Sequence, residues 1–137
     1  MRLLIRQEDL GLIIERARAS KEEICGFLLG VAGEEVEVRE VRFVRNRLAS
    51  PVEFEMEPLE MVEALDEAEE KGLEVVGIFH SHLKCPPRPS GSDLKGMELW
   101  PVTWLIVDEK GNCAAYILRG SRVEEVEVVE VENVNNL

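Results

Sequence analysis

The sequence is poor in cysteine, aromatic residues, positive charge and long apolar runs, and each shortage excludes something. Three cysteines, Cys25, Cys85 and Cys113, are too few and too scattered for a disulfide framework or a four-thiolate zinc site. That usage makes a reducing, cytoplasmic setting the expectation. No apolar run nears the ~20 residues that cross a bilayer. The opening residues Met1–Ile5 meet charge at Arg6, Glu8 and Asp9 too early for a signal peptide. Lys+Arg total 16 against 28 Asp+Glu, a formal charge of -12. A surface so acidic repels phosphate backbones and anionic lipid, so neither nucleic acid nor a membrane is an expected partner. Glutamine occurs only at Gln7 while glutamate abounds. That bias is shared with thermophile proteins, in which intracellular disulfides are less rare. A Cys85–Cys113 bridge therefore stays open as an alternative.

What is present fits one globular domain spanning residues 1–137, with 45% hydrophobic and 32% charged residues and no repeat or composition break. Arg2–Ile5 reads as a short strand. Gln7–Arg18 reads as a helix, because Leu10, Ile13, Ile14 and Ala17 recur at helical spacing. Ile24–Gly30 is an apolar run suited to a buried strand. In Glu35–Val44 the alternation slips by one residue, which predicts a bulge near Arg39-Glu40. Glu53–Met56 is a candidate short strand. Pro58 opens a second helix running to about Lys71, with Leu59, Val62 and Leu65 expected to face the core and Gly72 to cap it. Val75–Phe79 is a second buried strand. A short helix starts near Ser90–Ser92 and ends before Pro101, and Trp100 and Trp104 are expected in the core. Val102–Val107, Cys113–Leu118 and Val123–Val131 are closing strands, the last a possible dimer edge. The fold class expected is α+β or mixed α/β: a central, mostly antiparallel sheet flanked by helices.

The only two histidines, His80 and His82, stand two apart at the end of a predicted strand. On extended backbone such residues share a face, ~6.5 Å apart along the strand, so both imidazoles can reach one metal. Asp93, past a proline-rich loop, is the candidate third ligand. Two imidazoles and one carboxylate leave a tetrahedral zinc with one open position, the pattern of catalytic sites. Water there needs a base to take its proton and a donor for the oxyanion formed on the attacked carbonyl. Ser90-x-x-Asp93 also reads as the cap of a helix, a role compatible with ligation.

These residues spell H-x-H-x7-S-x2-D, and Glu23-Ile24-Cys25-Gly26-Phe27-Leu28-Leu29-Gly30 resembles the E-x-x-G-x-L-x-G stretch that precedes it in the JAMM (MPN+) zinc metalloproteases. Asn46, Ser50-Pro51 and Phe54-Glu55-Met56 resemble that family's connecting segment, and the likeness covers most of residues 1–120. The resemblance implies an MPN/JAMM-like (cytidine-deaminase-like) architecture and one Zn2+ per chain held by His80, His82 and Asp93. It implies Glu23, rather than its neighbour Glu22, as general base and then acid, and Ser90 as oxyanion donor. The implied reaction is hydrolysis of the isopeptide bond between a lysine and the C-terminus of a ubiquitin-like modifier. In a chain this short the modifier is expected to be a small β-grasp protein ending in Gly-Gly. Two other readings stand beside it: a processing hydrolase for ubiquitin-like sulfur-carrier precursors, and a non-catalytic modifier-binding module. Leu83 departs from the family, which often has proline after the second histidine; here Pro86, Pro87 and Pro89 follow instead.

Overall fold

β1 (Arg2–Arg6) runs without a break into α1 (Gln7–Ala19). β2 (Cys25–Ala32) and β3 (Val36–Val44) form a hairpin, and α2 (Pro58–Glu70) leads into β4 (Glu74–His82). α3 (Gly91–Leu99) precedes β5 (Thr103–Asp108), β6 (Cys113–Arg119) and β7 (Arg122–Val131). The computed structural model describes residues 1–132. No helix among them is long and apolar enough to cross a membrane.

The strands close into a barrel in the order β1-β3-β2-β4-β5-β6-β7. Pairing is mixed rather than mostly antiparallel. β2–β3, β2–β4, β5–β6 and β6–β7 are antiparallel. β1–β3, β1–β7 and β4–β5 are parallel. The last strand reads as a possible edge in sequence, but the five-residue β1 slots between β3 and β7 and closes the ring. β7 therefore has both edges taken, by β6 and β1, and offers none for a dimer. The parallel β4–β5 pair needs a crossover, and residues 83–102 with α3 supply it. That crossover returns α3 to the end of β4 that carries the histidines.

Burial follows from two-sided packing. Leu3, Ile5, Leu28, Val76, Phe79 and Leu105 join Leu10, Ile13 and Ala17 of α1 in one cluster. Phe27, Leu29, Ile78 and Trp104 face the other way, against Ala64 and Ala68 of α2 and Met97 of α3. β2 and β4 are covered on both faces, which explains their unbroken apolar runs. The β3 bulge falls where the alternation slips: Leu29 pairs with Glu40 and Gly30 with Val38, leaving Arg39 over. Gly26 is required by close approach, since a Cβ there would lie 2.2 Å from the Arg42 carbonyl oxygen.

Several expectations change. On α2, Leu59 is 73% and Val62 55% exposed, and Leu65 is exposed too. The buried stripe is instead Ala64 and Ala68, small residues that let the helix lie close against β3 and β4. Gly72 does follow the helix with φ 69, while Leu73 N–H donates to the Ala68 carbonyl at 2.8 Å. Residues 53–56 form no strand, only a single bridge between Asn46 and Met56. All three cysteines are free: Cys85 is exposed on its loop and Cys113 half-buried on β6, so the bridge between them is not made. Trp104 is core, whereas Trp100 is only half-buried.

Candidate metal centre and cleft

His80 and His82 end β4 with their rings on one face, as alternation requires. Ser81 points the other way, and its Oγ accepts from the Ile24 N–H at 2.9 Å. The serine between the histidines thus ties β4 to the segment that carries Glu23. Asp93 stands in the first turn of α3, held by a reciprocal capping box. Its N–H donates to Ser90 Oγ at 3.1 Å, and the Ser90 N–H donates to Asp93 Oδ2 at 2.9 Å.

The three side chains converge. His80 Nε2 and His82 Nε2 are 3.2 Å apart. His80 Nε2 lies 3.0 Å from Asp93 Oδ1, and His82 Nε2 lies 3.1 Å from Asp93 Oδ2. All three residues are buried, with ligand atoms within 4.8 Å of one another. Ligands at ~2.0–2.1 Å from a tetrahedral ion sit roughly 3.3 Å from each other. The two nitrogens, and the carboxylate oxygen that faces each of them, are spaced close to that value. The His82 Nδ1–H donates to the Pro86 carbonyl at 2.9 Å, which turns the lone pair of Nε2 toward the group. The proline-rich loop thereby orients a ligand. In neutral His82 the bare Nε2 lone pair then faces both Asp93 Oδ2 and His80 Nε2, an acceptor-rich arrangement that a cation satisfies. The donor set therefore fits a divalent metal ion.

The electrostatics agree. Burial opposes ionisation of Asp93, but the two histidine rings that face it outweigh burial and hold the carboxyl well below its usual range. Burial lowers the pKa of His80. In His82, Asp93 and the Pro86 carbonyl overcome burial and raise it. Burial pushes Glu23 up to about 7, although His82 pulls against it.

A cleft of about 350 Å³ opens beside the group. Glu23, Ser90 and Asp93 form its polar end, and Val52, Phe54, Met56, Met61, Leu99 and Trp100 form its walls. Phe54 stacks on the His80 ring with centroids 4.6 Å apart. Glu23 is 4% exposed, whereas its neighbour Glu22 is half-buried on the other side of the chain. Ser90 is exposed at the cleft mouth. Sequence reasoning brought Glu23, His80, His82, Ser90 and Asp93 to one place, and the structure gathers all five there. It missed Ser81, Phe54 and the Pro86 carbonyl. Only the i+1 position of Ser81 between two ligands hinted at its role.

A buried His-x-His and Asp group beside a cleft, on a helix-flanked mixed barrel, defines a candidate metal-binding α+β domain. Residues 8–119 match the family described as prokaryotic homologs of the JAB domain, and the chain belongs to that family. It is 56% identical over 128 residues to Desampylase of Pyrococcus furiosus, covering 93% of this chain and 89% of that one. It is 32% identical over 122 residues to the Probable TtuB-protein conjugate cleaving protease of Thermus thermophilus, covering 82% of each. The solution structure of a protein from Desulfitobacterium hafniense is similar with a TM-score of 0.85 at 26% identity, covering 98% of this chain and 96% of that one.

Proposed function

We propose that this protein is a zinc-dependent isopeptidase that cleaves ubiquitin-like modifiers from lysine side chains. The observation that carries the reading is the convergence of the buried His80, His82 and Asp93 side chains beside a cleft that Glu23 and Ser90 line. The names of the Pyrococcus and Thermus relatives point to the same class of substrate. Zinc held by the three ligands would supply the Lewis acidity that brings the proton affinity of water down toward neutral pH.

The chain's own residues divide the remaining work. Glu23, poised near neutrality by burial, takes the proton of the attacking water and returns it to the leaving lysine amine. Ser90 Oγ accepts from the Asp93 N–H, a bond that does not use the hydroxyl proton, which is left to donate to the oxyanion. Phe54 and Trp104 pack against the His80 ring and give the metal group an apolar flank. A small-residue tail such as Gly-Gly suits the approach to a buried centre.

The test combines metal analysis with cleavage of an isopeptide-linked modifier–lysine conjugate and a linear fusion. About one zinc per chain, with the conjugate cut and activity abolished by chelation, is the expected result. Glu23→Gln is expected to keep the zinc and lose about 10²–10⁴-fold in kcat. Zinc-free protein that binds modifier without cutting it, or a fully active Glu23→Gln, overturns the reading. Preference for the linear fusion would favour the precursor-processing alternative.

A further inference from the structure

Asn46 is 4% exposed in the loop between β3 and α2. Its side-chain amide is satisfied by backbone groups alone. Nδ2 donates to the Glu23 carbonyl at 3.0 Å and the Glu53 carbonyl at 2.9 Å. Oδ1 accepts from the Leu48 N–H at 3.1 Å and the Glu55 N–H at 3.1 Å. The Ser50 carbonyl also lies 3.5 Å from Nδ2, and carbonyls on one side with two N–H groups on the other leave the amide one orientation, with both donors and both lone pairs used.

The Glu23 peptide precedes β2. Its N–H donates to the Ser50 carbonyl at 2.8 Å, and its carbonyl accepts from Asn46. Loop 46–50 therefore carries the backbone of Glu23. The same loop goes on to build a wall of the cleft with Val52, Phe54 and Met56, and Phe54 stacks on His80. Within the turn, Ala49 has φ 48. That left-handed conformation is unfavourable for a residue with a Cβ and persists only where surrounding contacts impose it. The Ala49 N–H donates to the Asn46 carbonyl at 3.1 Å, so Asn46 holds the turn from both its backbone and its side chain.

We propose that Asn46 is a positioning residue for hydrolysis. It clasps the Glu23 peptide to the Glu53–Glu55 lip, so that the base and one wall of the cleft are held as a single body. This rests on the reading of Glu23 as the base. Two variants separate the two sides of the clasp. Asn46→Asp keeps the acceptor for Leu48 and Glu55 but removes the donor to Glu23 and Glu53. Asn46→Ala removes both. Arg47→Ala breaks only the exposed Arg47–Glu55 ion pair of the same loop and serves as the control for general loosening.

The experiment measures kcat, KM and zinc content on the full-length, zinc-loaded chain, together with residue-resolved amide hydrogen exchange. Asn46→Asp is expected to lower kcat about 10–100-fold with KM changed less than about threefold, because a misplaced supporting group costs chemistry more than binding. Exchange should quicken at the Glu23 N–H while Leu48 and Glu55 stay protected. Asn46→Ala should lower kcat, raise KM and expose all three. Both variants should keep one zinc per chain, and Arg47→Ala should match the parent throughout. Parental kcat and parental Glu23 protection in Asn46→Asp would overturn the clasp, as would equal effects from Arg47→Ala. A parent that cuts no conjugate sinks the isopeptidase reading instead, and the exchange pattern then decides the clasp by itself.

Discussion

Glu22 and Glu23 differ by one peptide step, and that step separates a partly solvated acid from a buried one. The consequence is measurable without substrate. Burial raises Glu23 to about 7 from an ordinary 4.5, so between those values the folded chain holds a proton that the unfolded chain has lost. Stability linked to Glu23 is therefore fully present below the lower value and falls as pH rises toward the upper one. Glu23→Gln cannot ionise and escapes that loss. In metal-free protein it is expected to melt above the parent at pH 8, by up to about 3 kcal/mol less whatever cleft water recovers. At pH 4 that ionisation-linked gain should vanish. Thermal melts of both proteins across pH, in chelator, check this, and identical curves at pH 8 would show that burial imposes no such load. Glu23 was singled out over Glu22 by its spacing from Gly26 in the family motif, and the fold buries it. The clasp by Asn46 was not readable, because beyond the nearby Leu48 and Ser50 its partners are backbone groups seven, nine and 23 residues away that only the folded loop assembles.

The helices show where periodicity informs and where it misleads. In α2 the large apolar residues Leu59, Val62 and Leu65 form one stripe and the alanines another, and hydrophobicity alone favours the wrong one. Packing against a sheet at close range selects side-chain size as well as polarity, so Ala64 and Ala68 face inward. Ala68→Leu is expected to cost about 1–3 kcal/mol through overpacking. Leu59→Gln and Val62→Gln should stay within about 0.5 kcal/mol of the parent. Denaturant melts distinguish them, and a large loss from Leu59→Gln would contradict the exposure seen. In α3 a single serine has two duties. Ser90→Ala should remove the cap, costing about 1 kcal/mol, and should lower kcat by about 10²–10³-fold through the lost oxyanion donor. Ser90→Thr keeps the hydroxyl and should restore most of both. A kcat loss in Ser90→Ala no larger than its stability loss explains would leave the serine a cap alone.

At the scale of the molecule, closure and the metal group act as two long-range ties. β1 completes the ring by parallel pairing with both β3 and β7, which removes the exposed edges that an open sheet would present. The His80, His82 and Asp93 group joins the end of β4 to the start of α3 across the crossover. A cation bound there only in the folded state stabilises it by mass action, roughly 4 kcal/mol at a thousandfold excess over Kd. Chelation is therefore expected to lower the melting temperature and zinc to restore it. His82→Ala should melt alike with and without chelator. A parent whose melting is indifferent to both would place no metal at this group.

The sequence by itself determined the helices, the β3 bulge, the shared face of His80 and His82 and the Ser90–Asp93 cap. Each is a local matter, set by side-chain period, capping chemistry or the shared face of residues two apart on a strand, whereas Glu23 was singled out by its place in a family motif. Only the tertiary structure decided how the barrel closes, which face of α2 is buried and what holds Glu23 in place. Those depend on which distant segments meet, and backbone groups, which every residue type carries alike, make most of the joints.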